Sequence, residues 1–196
     1  MARARRSEDW ERDLRDARAS EQLVAQVLGG DPRIQELEDH TASFDRLDFA
    51  FRYRGMLVTL DVKEKRQPYS REVQELWPRV PERELFIVDE TVYRRVVWQG
   101  GGGYLAIHDV PGRRWVVFGP WELTLGRHAR YARWGRRRAQ PFLKGKLLFN
   151  LASAGREDGQ FTVALMARAI DEARHWLRRV EPYPIHGAKL RELGAS

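Results

Sequence analysis

The first forty residues have the pattern of a long helix followed by a strand. Residues 7–28 begin with Ser7, a good helix cap, and have acids in the first turn. Apolar residues such as Leu23, Val24 and Val27 then recur at the spacing of a buried helical stripe, until a Gly-Gly pair ends the pattern. We therefore expect an amphipathic helix over 7–28 and a short strand over 33–38.

Two strands with a tight turn between them are the clearest feature of the chain. Residues 44–52 and 56–63 alternate apolar and polar side chains, and Arg54-Gly55 suits the turn. Side chains in a strand alternate between its two faces. The second strand therefore has an apolar face and a face that carries Asp61 and Lys63, and Asp48 of the first strand can return beside them.

Shorter elements are predicted for the rest of the chain. Residues 70–77 favour a helix, 85–88 a strand covered on both faces, and 90–98 fit a helix or a strand equally well. Four glycines at 100–103 form a loop. We expect a hairpin from 104–108 and 114–118, and helices over 127–138, 144–154 and 161–180.

Composition narrows the classes of protein that this sequence allows. With 196 residues and 42% hydrophobic residues, we expect one domain with its own core. The absence of cysteine excludes disulfides, thiolate zinc sites and cysteine nucleophiles. We find no apolar run of membrane-spanning length, no secretory signal and no glycine-rich nucleotide motif. We expect a cytoplasmic protein without a membrane or nucleotide-cofactor partner; nothing indicates a homo-oligomer.

Positive charge is concentrated late in the chain. Lys and Arg number 35 against 28 Asp and Glu, and no acid occurs in residues 123–156. Arginines three apart lie on one face of a helix, so the predicted helix over 127–138 would form a basic ridge. Such a ridge suits the phosphates of nucleic acid. We expect DNA in preference to RNA as the partner, although the sequence itself does not distinguish the two. The residues expected to bind are Arg127, Arg130, Arg133, Arg136, Arg137, Arg138, Lys144 and Lys146.

The chemistry of the two clear strands points to a metal site. Two carboxylates held close together repel each other, and both stay ionised only if a cation lies between them. Oxygen ligands of this kind suit Mg²⁺ or Mn²⁺. A lysine beside the metal can help to deprotonate a water or stabilise charge on a phosphate. Asp48, Asp61 and Lys63 are therefore a minimal set for metal-assisted hydrolysis of a phosphodiester.

The segment FDRLDFAFRYRGMLVTLDVKEKR resembles the PD-(D/E)xK nuclease superfamily, which has the restriction-endonuclease-like fold. Asp48 matches the first acid of the motif, Asp61 the second and Lys63 the lysine. The order of elements over 7–88 is similar to the αβββαβ core of that family. The resemblance implies an α/β fold with a mixed sheet and Mg²⁺-dependent cleavage of nucleic acid. It also implies a role for an acid on the first helix, for which Glu21 is the candidate.

The resemblance leads to a division of the chain and leaves several alternatives open. Residues 1–90 would form the nuclease core, and 91–196 would add strands, a hairpin and helices to the same domain. Leu47 replaces the proline that names the family, and Asp45 competes with Asp48 as the first acid. No Gln-x-x-x-Tyr follows the motif, which favours an endonuclease over an exonuclease. A catalytically inactive nucleic-acid-binding module and a protein–protein assembly factor remain as alternative functions.

Overall fold

The computed structural model describes residues 7–43, 45–99, 102–124, 128–137 and 140–180 of the chain. Within these ranges, short 3-10 turns at Glu82–Glu84 and Leu151–Ser153 accompany the regular elements. The helices and strands are, in chain order, α1 Ser7–Gly29, β1 Ile34–Asp39, β2 Phe49–Tyr53, β3 Met56–Lys65, α2 Arg71–Leu76, β4 Leu85–Asp89, α3 Glu90–Val97, β5 Gly103–Asp109, β6 Arg114–Phe118, α4 Pro120–Thr124, β7 His128–Arg137, β8 Gln140–Asn150, β9 Gly155–Asp158 and α5 Val163–Val180.

Six strands form the main sheet, in the order β1-β2-β3-β5-β6-β9. β3 and β5 run parallel, and the other neighbouring strands are antiparallel. A parallel pair requires a crossover connection, which the chain makes through α2, β4 and α3. A small antiparallel sheet has the order β4-β8-β7. The predicted α/β class with a mixed sheet is confirmed.

The two faces of the main sheet have separate hydrophobic cores. On one face, α1 and α5 cover the apolar side chains of β2 and β3, such as Phe51 and Leu60. On the other face, side chains of β5 and β6, such as Ile107 and Phe118, pack against the small sheet and α3. This arrangement follows from the strand period of two, because alternate residues of each strand enter different cores.

The turn between β2 and β3 fixes the register of both strands. Arg54 and Gly55 have φ angles of 50° and 78°, in the left-handed region that two-residue hairpin turns favour. Tyr53 therefore pairs with Met56, and the register continues to Phe49 opposite Leu60. The predicted hairpin is confirmed, except that β2 begins at residue 49.

Two predicted helices are strands in the structure. The segments expected to be helical over 127–138 and 144–154 contain β7 and most of β8. Arginine and alanine favour helices in isolation, but Leu147, Leu148 and Phe149 are all buried. Consecutive residues buried on both faces suit a strand within layers better than an amphipathic helix. Packing of β8 therefore overrides the local preference, and β7 pairs with it.

The strand predicted over 85–88 exists as β4 but lies in the small sheet, paired with β8. The strand beside β3 is instead β5, which belongs to the second part of the chain. The main sheet therefore contains strands from both 1–90 and 91–196. The segment 90–98 forms the helix α3, and the helix predicted over 161–180 is present as α5. Among the described residues, no helix is both long and apolar enough to cross a membrane.

Candidate active site

Asp48 and Asp61 are neighbours across the β2–β3 hairpin. Phe49 pairs with Leu60, so one further step of the same register brings Asp48, just before β2, opposite Asp61. The backbone amide of Val62 donates a hydrogen bond of 2.6 Å to Oδ2 of Asp48. This bond holds the first carboxylate against β3.

Lys63 contacts both carboxylates. Its Nζ lies 2.7 Å from Oδ2 of Asp61 and 3.7 Å from Oδ2 of Asp48. The distance between the two oxygens therefore cannot exceed the sum of these two distances. The same Nζ donates a hydrogen bond of 2.9 Å to the Val62 carbonyl. Asp61 and Lys63 share a face of β3 because they are two residues apart. The structure thus brings these three predicted residues together.

Burial is graded across this charged group. The side chain is 4% exposed in Asp61, 13% in Asp48 and 35% in Lys63. Lys63 is therefore the most solvent-accessible side chain of the three, and Asp61 is the least accessible.

The environment alters the proton affinity of these side chains. Burial raises the pKa of Asp61 to about 6; Lys63 opposes that shift, and the neighbouring charge of Asp48 adds to it. Burial alone would lower the pKa of Lys63, but attraction to Asp61 and Asp48 outweighs it, and the pKa is raised. Lys63 therefore carries its positive charge at neutral pH. The cluster of two acids and one ammonium keeps an excess of negative charge.

Glu21 adds a third carboxylate from α1. Burial, followed by repulsion from Asp48, raises the pKa of Glu21 to about 7, with Lys63 lowering it and Asp61 raising it. Three of its four electrostatic partners are the residues that form the cluster on β2 and β3, and the fourth is Asp39 of β1. The structure thus places Glu21 within electrostatic range of the other three predicted residues.

Ser20 holds α1 in the position that Glu21 requires. Its buried hydroxyl donates a short hydrogen bond to Glu64 of β3 and lies 2.8 Å from Nδ1 of His108 on β5. The His108 ring is in turn stacked on Trp115, with 4.5 Å between ring centroids. α1 is therefore fixed to two strands by the residue immediately before Glu21.

The donor set of this site suits a divalent cation. Oδ2 of Asp61 is buried and, apart from its ionic contact with Lys63, receives no hydrogen bond of adequate geometry. Asp48, Asp61 and Glu21 offer the oxygen ligands that Mg²⁺ and Mn²⁺ prefer. Within the described ranges of the chain, no three His, Cys, Asp or Glu side chains are close enough together to form a metal-binding group. The three carboxylates must therefore come closer together to share one ion, and their fit to it rests on oxygen-ligand chemistry and on the excess negative charge of the cluster.

Asp45, the alternative first acid, lies outside this cluster. Its side chain is exposed and accepts a short hydrogen bond from Ser43, which lowers the pKa of Asp45. The carboxylates in ionic contact with Lys63 are those of Asp48 and Asp61. The geometry therefore favours Asp48 as the first acid.

Arg95 is a residue near the site that the sequence did not reveal. It lies on α3, and its Nη1 donates a hydrogen bond of 3.2 Å to the carbonyl of Arg46, two residues before Asp48. Its charge also acts to lower the pKa of Asp61. The segment that contains it fitted a helix or a strand equally well, and only the tertiary packing of α3 brings it to the acids.

The basic segment forms a β-ribbon instead of a helical ridge. Strands have a period of two, so the three-residue spacing of the arginines does not align them on one face. Lys146 forms a short ion pair with Asp89 across the small sheet. Arg127 and Arg138 lie outside the described residues. The remaining residues predicted to bind nucleic acid lie on β7 (Arg130, Arg133, Arg136 and Arg137) and β8 (Lys144).

Much of this two-stranded ribbon extends beyond the end of β4, the third strand of the small sheet. β4 pairs with residues 146–150 of β8, whereas β7 pairs with β8 along its whole length. Arg133 stands directly opposite Lys144, and like charges in that position are destabilising. The extended part, residues 131–137 and 140–145, is called the basic ribbon below.

No family model and no curated protein matches this chain.

Proposed function

We propose that this protein is a metal-dependent nuclease, a DNA endonuclease, that hydrolyses phosphodiester bonds. The observation that carries the proposal is the convergence of Asp48, Asp61 and Lys63, with Glu21 beside them, at the end of a β-hairpin. A surface charge cluster would leave these acids exposed and paired with separate cations. Here a single ammonium serves two carboxylates, one of which is almost completely buried.

The order of elements supports a restriction-endonuclease-like core. α1 is followed by β1, β2 and β3, then by α2 and β4, and then by α3 and β5. With α2 and β4 taken as an insertion, the main sheet and its helices follow the order αβββαβ. In this correspondence β5 takes the place that the sequence pattern suggested for β4. The acids of the motif lie just before the second strand of this series and within the third.

Each residue of the site has a distinct role in the proposed reaction. Asp48, Asp61 and Glu21 would hold Mg²⁺ or Mn²⁺. The chemistry that such an ion supplies is Lewis-acid activation of the phosphate and of a water molecule. Lys63, protonated and at the outer side of the acids, can neutralise charge on the phosphate as it develops.

The basic ribbon supports a nucleic-acid substrate. A β-ribbon fits into the major groove of B-DNA, and basic side chains along it would contact phosphates. The absence of acids from residues 123–156 means that no carboxylate within the segment competes for those contacts.

The proposal is tested by nuclease assays with plasmid, linear duplex and single-stranded DNA in Mg²⁺, Mn²⁺ or EDTA. We expect cleavage with either metal and none in EDTA. Asp61→Asn should abolish cleavage and retain DNA binding, because it removes ligand charge and leaves the basic ribbon intact. Lys63→Ala should slow the chemical step by about two to four orders of magnitude.

Asp45→Asn is the matched control, since it removes an exposed aspartate from the loop that leads to Asp48. Its cleavage rate should equal that of the unmodified protein. Full activity of Asp61→Asn would show that the cluster is not catalytic. DNA binding without cleavage under any metal condition would identify a catalytically inactive binding module.

A further inference from the structure

α3 places an arginine with free hydrogen-bonding capacity beside the acids. A guanidinium has five N–H donors, and the side-chain hydrogen bond of Arg95 is the one from Nη1 to the Arg46 carbonyl. Among the described residues, no carboxylate lies within ion-pair distance of Arg95. Its neighbour Arg94 differs, because it forms an ion pair of 2.7 Å with Glu90. Arg95 is therefore a cation that can accept an anionic ligand.

Trp98 is the most exposed large apolar side chain of the described residues, at 80%. It directly follows the end of α3 with helical backbone angles and is three residues after Arg95, so the two lie on the same side of the helix axis. No ring within the described part of the chain stacks on it. A tryptophan exposed to this extent leaves its aromatic face available for a ligand.

The segment after Trp98 is tied to the strand that carries Asp61. Thr59 Oγ1 donates a hydrogen bond of 3.1 Å to the carbonyl of Gly102. Leu57, Thr59 and Asp61 share one face of β3, each about 7 Å from the next by the rise of a strand. Leu57 is 57% exposed. Leu57 therefore begins the row of side chains that leads to Asp61, and the segment that follows Trp98 is hydrogen-bonded to the middle of that row.

This combination of groups fits one class of ligand. An open guanidinium favours a phosphate, and an exposed indole ring favours a flat aromatic group. A nucleotide contains both groups in one molecule. In a duplex the bases are already stacked on their neighbours, so a base can cover Trp98 only if it is unpaired.

We propose that Arg95 and Trp98 form a subsite for one nucleotide beside the scissile phosphate, with Arg95 binding its phosphate and Trp98 stacking on its unpaired base. The subsite rests on the proposed function, because it places the nucleotide relative to the catalytic acids. The preferred substrate is then single-stranded DNA or the unpaired part of a DNA junction, flap or bubble.

The test measures binding in EDTA, so that cleavage plays no part. Fluorescence anisotropy is recorded with a short fluorescein-labelled single strand and with the duplex of the same sequence. For Trp98→Ala we expect about tenfold weaker binding of the single strand, the usual scale for one stacked base, and less than about a twofold change for the duplex. Trp98→Phe should retain most of the affinity because it keeps an aromatic ring.

Arg95→Gln should weaken single-strand binding several-fold, and Arg94→Gln is its control on the same helix. Thermal melts of each variant establish that α3 remains folded. Equal losses for duplex and single strand, or no loss in Trp98→Ala, would overturn the subsite. If the protein shows the expected effects of Trp98 and Arg95 but cuts no DNA with Mg²⁺ or Mn²⁺, the subsite stands and the nuclease proposal fails. If it cuts DNA and neither residue affects binding, the nuclease proposal stands and the subsite fails.

Discussion

Asp61 illustrates how an individual residue of this site departs from ordinary behaviour. A carboxylate buried to this degree is stable only if it is paired or neutralised, and its single cationic contact is shared with Asp48. The protein therefore retains two carboxylates in a position where they oppose each other. Buried carboxylates that repel each other destabilise a fold, and they are therefore found most often at functional sites that require their charge.

The proton affinities of Asp61 and Glu21 link stability to pH. Their pKa values, about 6 and about 7 in the folded protein, are above the ordinary values of 3.8 and 4.5. The folded state therefore binds more protons than the unfolded state in this window. The stability contributed by these groups is fully present below about pH 4 and is lost as the pH rises to about 7.

We expect the melting temperature in EDTA to fall less between about pH 5 and about pH 8 in Asp61→Asn and in Glu21→Gln than in the unmodified protein. Circular dichroism melts across the pH range measure the difference. Asp45→Asn is again the comparison, because the pKa of Asp45 is lowered and its carboxylate therefore stays ionised across this pH range. A parallel pH profile for all variants would contradict the environment described for Asp61.

At the scale of secondary structure, two glycines have different functions in holding the site together. Gly55 has a φ of 78°, and a Cβ there would meet nothing within 4 Å. Gly103, at the start of β5, has the carbonyl of Val96 so close that a Cβ would overlap with it. The first glycine serves the conformation of a turn, and the second allows α3 to approach the main sheet.

We therefore expect Gly55→Ala and Gly103→Ala to have different consequences. Gly55→Ala should lower the free energy of unfolding by about 1 kcal/mol, because alanine must adopt the left-handed backbone conformation. Cleavage per folded molecule should be normal. The second should cost up to about 3 kcal/mol, the usual range for overpacking, and should weaken single-strand binding because it displaces the helix of Arg95. Urea unfolding and anisotropy measurements on both variants compare the two effects. Equal effects on binding would show that α3 does not depend on this close approach.

Local patterns predicted the hairpin and its acids because the interactions concerned are local. A period of two and a two-residue turn suffice to place Asp48 and Asp61 on the same face. Arg95 could not be found in this way, since its distance from Asp61 depends on how α3 packs. The prediction of a helix over 127–138 was wrong, because pairing with β8 outweighs the helical preference of alanine and arginine. β9 was missed because its four residues are mostly polar and exposed.

At the scale of the whole molecule, the formal charge of +7 arises largely from the basic ribbon and its surroundings. The six-stranded sheet carries the acids, and the small sheet carries the ribbon. If the protein is a nuclease as proposed, the attraction of DNA and the cleavage chemistry belong to different layers of the structure.

Replacing Arg133, Arg136 and Arg137 with alanine tests the contribution of the ribbon. If each contacts a phosphate, the slope of log affinity for duplex DNA against log salt should fall by roughly 0.9 per residue, and by about 2.7 for the triple variant. The loss should be similar for every DNA sequence. Titrations at several salt concentrations, with a thermal melt of the same variant, give both quantities. An unchanged slope with a lowered melting temperature would assign these arginines to contacts within the protein.

The junction of β4 and α3 connects these two layers without any linker. β4 ends at Asp89 and α3 begins at Glu90, while on its other side β4 is hydrogen-bonded to β8. A Cβ on Gly145 of β8 would lie 3.1 Å from the Cβ of Glu90, so the start of α3 also packs closely on β8. If the basic ribbon binds DNA as proposed, a displacement of β8 would reach the first turn of α3 through β4, because no linker separates β4 from that helix. DNA binding and the geometry of the candidate site would then be mechanically coupled.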